Sequence, residues 1–213
     1  MIVAIIDSGC FDHIDLRSSL IYGKNFTSEG TSQNVTDNNG HGTHIAGIIH
    51  RIVPEAQLLI IKALDRYGYG SVNDLTDAIY YALNKGADVI NIAMGYEDPD
   101  DNLEAACEVA RGKNIPIICA AGNNDRLDYP AKYCYSVGSI NNEGNISSFS
   151  THEAALYAKG EEIFSTYVND SYETLSGTSM ATAKVTGYIA KEISDNGSID
   201  MNEFIKRNKI IYK

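Results

Sequence analysis

The chain alternates short, nearly continuous apolar runs with longer stretches in which apolar residues recur at helical spacing. MIVAIID, QLLIIKAL, ADVINIAM and IPIICAA are of the first kind. Runs of that length, with few polar positions, predict strands buried on both faces, as in a parallel sheet covered from either side. Between them, HGTHIAGIIHRI keeps helical spacing until Pro54, residues 72–84 predict a helix capped near Ser71, and residues 102–112 predict another. The order β, α, β, α, β, α, β predicts an α/β fold, a three-layer α/β/α arrangement around a mostly parallel central sheet. Beyond Gly122 the pattern turns to short strands and loops until a long helix that follows Ser179, and a weak helix over 201–206 ends it. No linker or low-complexity stretch interrupts the 213 residues, so one domain over 1–213 is expected.

Composition narrows the function. Hydrophobic residues make up 44% and charged residues 21%, ordinary for a globular protein, while the formal net charge is −11. That charge argues against nucleic acid and against an anionic membrane surface as partners. No apolar run approaches the ~18 residues of a membrane span. The leading MIVAIIDSGC has neither a basic start nor a small-residue cleavage site, so it does not read as a signal peptide. Cys10, Cys107, Cys119 and Cys134 have no CxxC spacing, and three lie in apolar runs. Free thiols in a reducing, cytoplasmic setting are expected rather than disulfides or a metal site.

In parallel sheets, sites form beyond the carboxyl ends of the strands. Asp7 ends the first strand in IIDSG, His41 opens the first long helix in NGHGTHIAG, Asn123 follows the strand IPIICAAGN, and Ser179 sits in SGTSMATA before the last long helix. Each has an ordinary reading: an Asx-turn for Asp7, a cap or buried imidazole for His41, a turn for Asn123, an N-cap for the serine. Each also suits nucleophilic catalysis, with Ser179 at a helix N-terminus that favours developing negative charge.

The chain order Asp, His, Ser in the contexts DSG, HGTH and GTSMA resembles the subtilisin-like serine proteases, from MIVAIIDSG to GTSMATAKVTG. That resemblance implies a serine endopeptidase acting on peptide or protein substrates. Ser179 would be the nucleophile, His41 the base, Asp7 its orienting carboxylate, and Asn123 a side-chain donor to the oxyanion. By the same resemblance a peptide would lie as an added strand between Gly68-Tyr69-Gly70 and Ala93-Met94-Gly95. Asp128, before the Tyr129-Pro130 pair, would stand at the base of the S1 pocket and favour a basic P1 residue, and the Tyr129–Pro130 bond would be cis. His44, three residues from His41, suggests a zinc pair, but no third ligand is evident and zinc would consume the base, so no metal and no cofactor are expected.

The family's pro-segment, its calcium-binding loop and its proline in the serine helix (here Ala183) are not found in the sequence, which suggests a minimal, intracellular form. Narrow specificity, or an activating or inhibiting protein partner, is expected to restrain it. Two other readings stand beside this one: a catalytically silent subtilisin-like module that only binds peptides, and an unrelated doubly wound ligand-binding domain. The second is weakened by the absence of a GxGxxG or Walker loop.

Overall fold

The structure, a computed structural model, describes residues 1–211. Strand β1 (Ile2–Asp7) is buried on both faces: Val3 and Ile5 join one apolar cluster, Ala4 and Ile6 another. β3 (Gln57–Lys62) divides in the same way, Leu58 and Ile60 against Leu59 and Ile61. This two-sided burial is why those runs show no polar alternation. The remaining strands of the sheet are β2 (Leu20–Asn25), β4 (Val89–Ile92), β5 (Ile117–Ala120), β6 (Tyr135–Ile140), β7 (Leu156–Lys159) and β10 (Ile210–Ile211). They lie in the order β10-β7-β6-β5-β4-β1-β3-β2, and every neighbouring pair is parallel. An antiparallel hairpin, β8 (Ile163–Tyr167) with β9 (Ser171–Leu175), stands outside that sheet.

Helices α1 (His41–Ile52) and α4 (Thr178–Asn196) pack on one face, while α2 (Val72–Asn84) and α3 (Asp101–Gly112) pack on the other. A short α5 (Met201–Arg207) joins the first group. The result is the three-layer α/β/α arrangement. Ser71 starts α2 with a reciprocal capping box to Asp74. Gly187 lets α4 close on α1, because a Cβ there would lie 2.9 Å from Cβ of Ile52.

Two parts of the architecture go beyond the sequence expectation. β2 enters between β1 and α1, where no strand is predicted. After Gly122 the short strands divide: β6, β7 and β10 extend the sheet in parallel, with a connection lacking a helix between β6 and β7, while β8 and β9 form the separate hairpin. Strand order reverses direction beside β1, with β3 and β2 to one side and β4 to β7 to the other. At such a switch point the loops at the carboxyl ends part and leave a crevice. Asp7 and Ala93 emerge on its two sides.

Candidate active site

Asp7 ends β1 fully buried, its carboxylate capped by the backbone N–H of Ser8 at 2.7 Å. Nδ1 of His41 lies 2.8 Å from Oδ1 and 3.0 Å from Oδ2 of Asp7. An ionised carboxylate can only accept, so Nδ1 carries the proton and the lone pair of a neutral ring sits on Nε2. The His41 ring is 26% exposed. Burial disfavours its charged form, but the charge of Asp7 and its hydrogen bond outweigh that. With a further contribution from Asp37, the pKa stands above the ordinary 6.5.

The loop that delivers His41 is organised by Asp37, a residue the sequence reading passes over. This buried carboxylate accepts five hydrogen bonds. Oδ1 takes the Ser8 hydroxyl at 2.9 Å and the N–H groups of Asn39 and Gly40 at 2.9 and 2.8 Å. Oδ2 takes the N–H and hydroxyl of Thr43 at 2.9 and 2.6 Å. Gly40, the N-cap of α1, has no side chain to cap with, so Asp37 supplies the missing acceptor from outside the helix and meets its positive end. Ser8 closes the circuit by accepting from Gly42 N–H at 3.0 Å. The approach is close enough that a Cβ on Gly42 would fall 2.1 Å from the Gly9 carbonyl oxygen. On the other side of β1, buried Lys62 donates to the carbonyls of Ser8 and Leu64, both at 2.8 Å, and lies 3.5 Å from Glu29. A lysine inside the apolar run QLLIIKAL was the available signal for it.

Ser179 lies in the first turn of α4, but neither it nor Thr178 is the N-cap, which is Gly177 and has no side chain to cap with. The capping explanation for the serine and threonine run therefore fails. The two hydroxyls turn to the site instead. Ser179 Oγ donates to the Ala93 carbonyl at 3.1 Å. Thr178 donates to Asn123 Oδ1 through both its N–H and its hydroxyl, each at 3.0 Å. Holding the amide oxygen in this way fixes the Asn123 side chain and leaves its NH₂ end for another partner. Thr178 is the third residue that sequence reasoning misses, although it adjoins Ser179.

A cleft of about 540 Å³ is lined by His41, by Gly68, Tyr69 and Gly70, and by Ala93, Met94 and Gly95. The two segments expected to flank a peptide thus face one space together with the imidazole. Tyr69 is largely exposed along it, and Asp65 shapes the turn by accepting from Tyr67 and Tyr69 N–H. Asp128 sits between Gly95 and Gly122. A Cβ on Gly122 would fall 2.4 Å from Asp128 Oδ2, and one on Gly95 would fall 2.9 Å from Asp128 Cβ. The Tyr129–Pro130 bond is cis. His44 points away from His41, its Nε2 between the carbonyl oxygens of Ile163 and Glu173 at 3.0 and 3.1 Å, and burial holds its pKa down at about 4. It ties α1 to the β8–β9 hairpin. All four cysteines are free, with Cys10, Cys107 and Cys119 buried.

Comparison with known proteins gives the family. The profile of the Subtilase family matches residues 1–209. An intracellular serine protease of Paenibacillus polymyxa is 41% identical over 211 residues, covering 88% of this chain and 65% of that protein. The major intracellular serine protease of Bacillus subtilis is 37% identical over 212 residues, covering 88% and 66%. The chain thus spans about two thirds of the length of these curated relatives. A crystal structure of a cold adapted subtilisin-like serine proteinase superposes with a TM-score of 0.89 at 26% identity, over 96% of this chain and 79% of that one. On the strength of a match that runs through nearly every element described above, the chain belongs to the subtilase family.

Proposed function

We propose that the protein is a serine endopeptidase in which Ser179 attacks the scissile carbonyl, His41 takes its proton, and Asp7 orients and charge-balances the imidazole. The observation that carries the reading is the pairing of buried Asp7 with His41, whose imidazole lines the cleft, with Ser179 bonded to the Ala93 segment that lines the same cleft. To act, the Ser179 hydroxyl exchanges the Ala93 carbonyl for His41 Nε2, a tightening usual on substrate binding. The developing oxyanion would be met by Asn123 Nδ2, its amide steadied by Thr178, and by the Ser179 N–H. That N–H lies in the first turn of α4 and so has no intrahelical acceptor. His41 then returns the proton to the leaving amine.

Because His41 must be neutral to accept a proton, kcat/KM rises with pH as the imidazolium deprotonates. The raised pKa places the midpoint of that acid limb above pH 6.5. A kcat/KM–pH profile on a neutral peptide checks this, and a midpoint at or below 6.5 contradicts it.

The same proposal includes a basic P1 preference. A carboxylate between the two glycine walls, only 13% exposed, suits a P1 Arg or Lys, which pairs with it more strongly than in open water. In a peptide library varied at P1, Asp128→Ala is expected to lower the ratio of basic to apolar cleavage about tenfold or more. An unchanged ratio removes the preference and leaves the protease. A cytoplasmic setting and a narrow processing role on one peptide or protein complete the proposal. The setting is supported by the relatives' names and the free thiols, and the narrow role by the charged Asp128 subsite.

A further inference from the structure

Asp128 is not alone at its subsite. Arg126 Nε lies 3.3 Å from Asp128 Oδ1, and the same guanidinium reaches Glu97 Oε1 through Nη2 at 2.7 Å. Asn124 supports it, its amide turned so that the oxygen accepts from Arg126 Nε at 3.0 Å and the nitrogen donates to the Arg126 carbonyl at 3.3 Å. The two carboxylates belong to different walls. Glu97 follows the Ala93-Met94-Gly95 segment, Asp128 precedes Tyr129, and Tyr96 and Tyr129 pin the walls together by reciprocal backbone bonds of 2.8 and 2.9 Å. Arg126 therefore spans the mouth between them.

We propose that Arg126 is a built-in occupant of the basic P1 subsite, and that a substrate's P1 Arg or Lys binds by displacing it. This rests on the basic P1 reading above. A guanidinium on a three-carbon stem offers Asp128 the same chemistry as a P1 arginine, so the resting protein already holds its own chain where the substrate's cation would go. The exchange is easy. Arg126 is 47% exposed and Glu97 75%, so that arm contributes little, and the more enclosed Asp128 keeps a cationic partner when the substrate's cation replaces Arg126. A substrate already held as a strand brings its cation at high effective concentration, whereas the released Arg126 returns to solvent. The three groups sum to one negative charge with Arg126 in place and to two without it. Arg126 thus lowers the advantage of a basic P1 residue and works as an internal competitor.

The test compares kcat/KM on matched peptides that differ only in P1 Arg, Lys or Leu, for wild type, Arg126→Gln, Arg126→Lys and Asp128→Ala. Arg126→Gln is expected to raise the basic-to-Leu ratio by roughly two- to fivefold, through KM more than kcat. The gain shrinks at high salt, and Arg126→Lys stays near wild type. A ratio that falls or does not move in Arg126→Gln, while Asp128→Ala lowers it, overturns the competitor role and keeps the basic subsite. A ratio unmoved by Asp128→Ala, or a wild type that cleaves none of the peptides, overturns both. A rise in Arg126→Gln that survives at high salt also overturns the role, since it would reflect loop geometry rather than charge.

Discussion

Replacing Ser179 with alanine is expected to leave a folded protein that no longer turns over peptides. Its hydroxyl makes one hydrogen bond, to the Ala93 carbonyl, so the structural loss is about 1 kcal/mol. The catalytic loss is of another order. Without a nucleophile there is no acyl-enzyme, and the residual rate is the roughly 10³–10⁴-fold over water that oxyanion donors and binding sustain in triad proteases generally. Active-site titration with a serine-directed phosphonylating reagent, together with kcat on a P1 Arg peptide, checks this against an unchanged melting curve. Cleavage that persists in Ser179→Ala sinks the assignment. Peptide binding without turnover in both proteins identifies a silent peptide-holding module instead.

The largest effect on stability is expected at Asp37. In Asp37→Ala five donors lose their acceptor, among them three backbone N–H groups around the start of α1. If two or three of them stay unpaired, the cost is about 3–5 kcal/mol. For a chain of this size that lowers Tm by roughly 6–20 °C. Asp37→Asn keeps the shape and part of the acceptor capacity but removes the charge. It should cost less stability and should move the acid limb of kcat/KM to lower pH, because Asp37 helps hold His41 protonated. Differential scanning calorimetry and the pH profile separate the two effects. A Tm within a degree of wild type in Asp37→Ala would show that Asp37 does not organise the loop.

The four groups proposed for the chemistry were legible in the sequence; the further residues that hold them in place were not. Asp7, His41, Asn123 and Ser179 stand at element ends within specific local motifs. Asp37, Lys62 and Thr178 act through other groups, and single polar residues in a loop, a strand and a helix start have many ordinary uses. The fold shows a similar division. β1, β3, β4 and β5 are apolar because both of their faces are covered. LIYGKN of β2 lies at the sheet's edge, with half-open positions and a Gly-Lys pair, so its period is blurred. YSVGSI and LYAK of β6 and β7 read only as short strands among loops, since no helical pattern separates them to signal a parallel crossover. Tertiary context, α4 packed beneath them, makes them parallel.

The scattering of the site along the chain has a consequence for synthesis. Asp7 and His41 leave the ribosome before the Ala93 and Asn123 strands, and Ser179 follows on α4, which packs against strands made ahead of it. Pairings so distant in sequence form slowly. Under the proposed mechanism, any nascent piece that stops short of Ser179 carries the imidazole but no nucleophile, so the chain stays harmless to itself and to its neighbours until α4 is home.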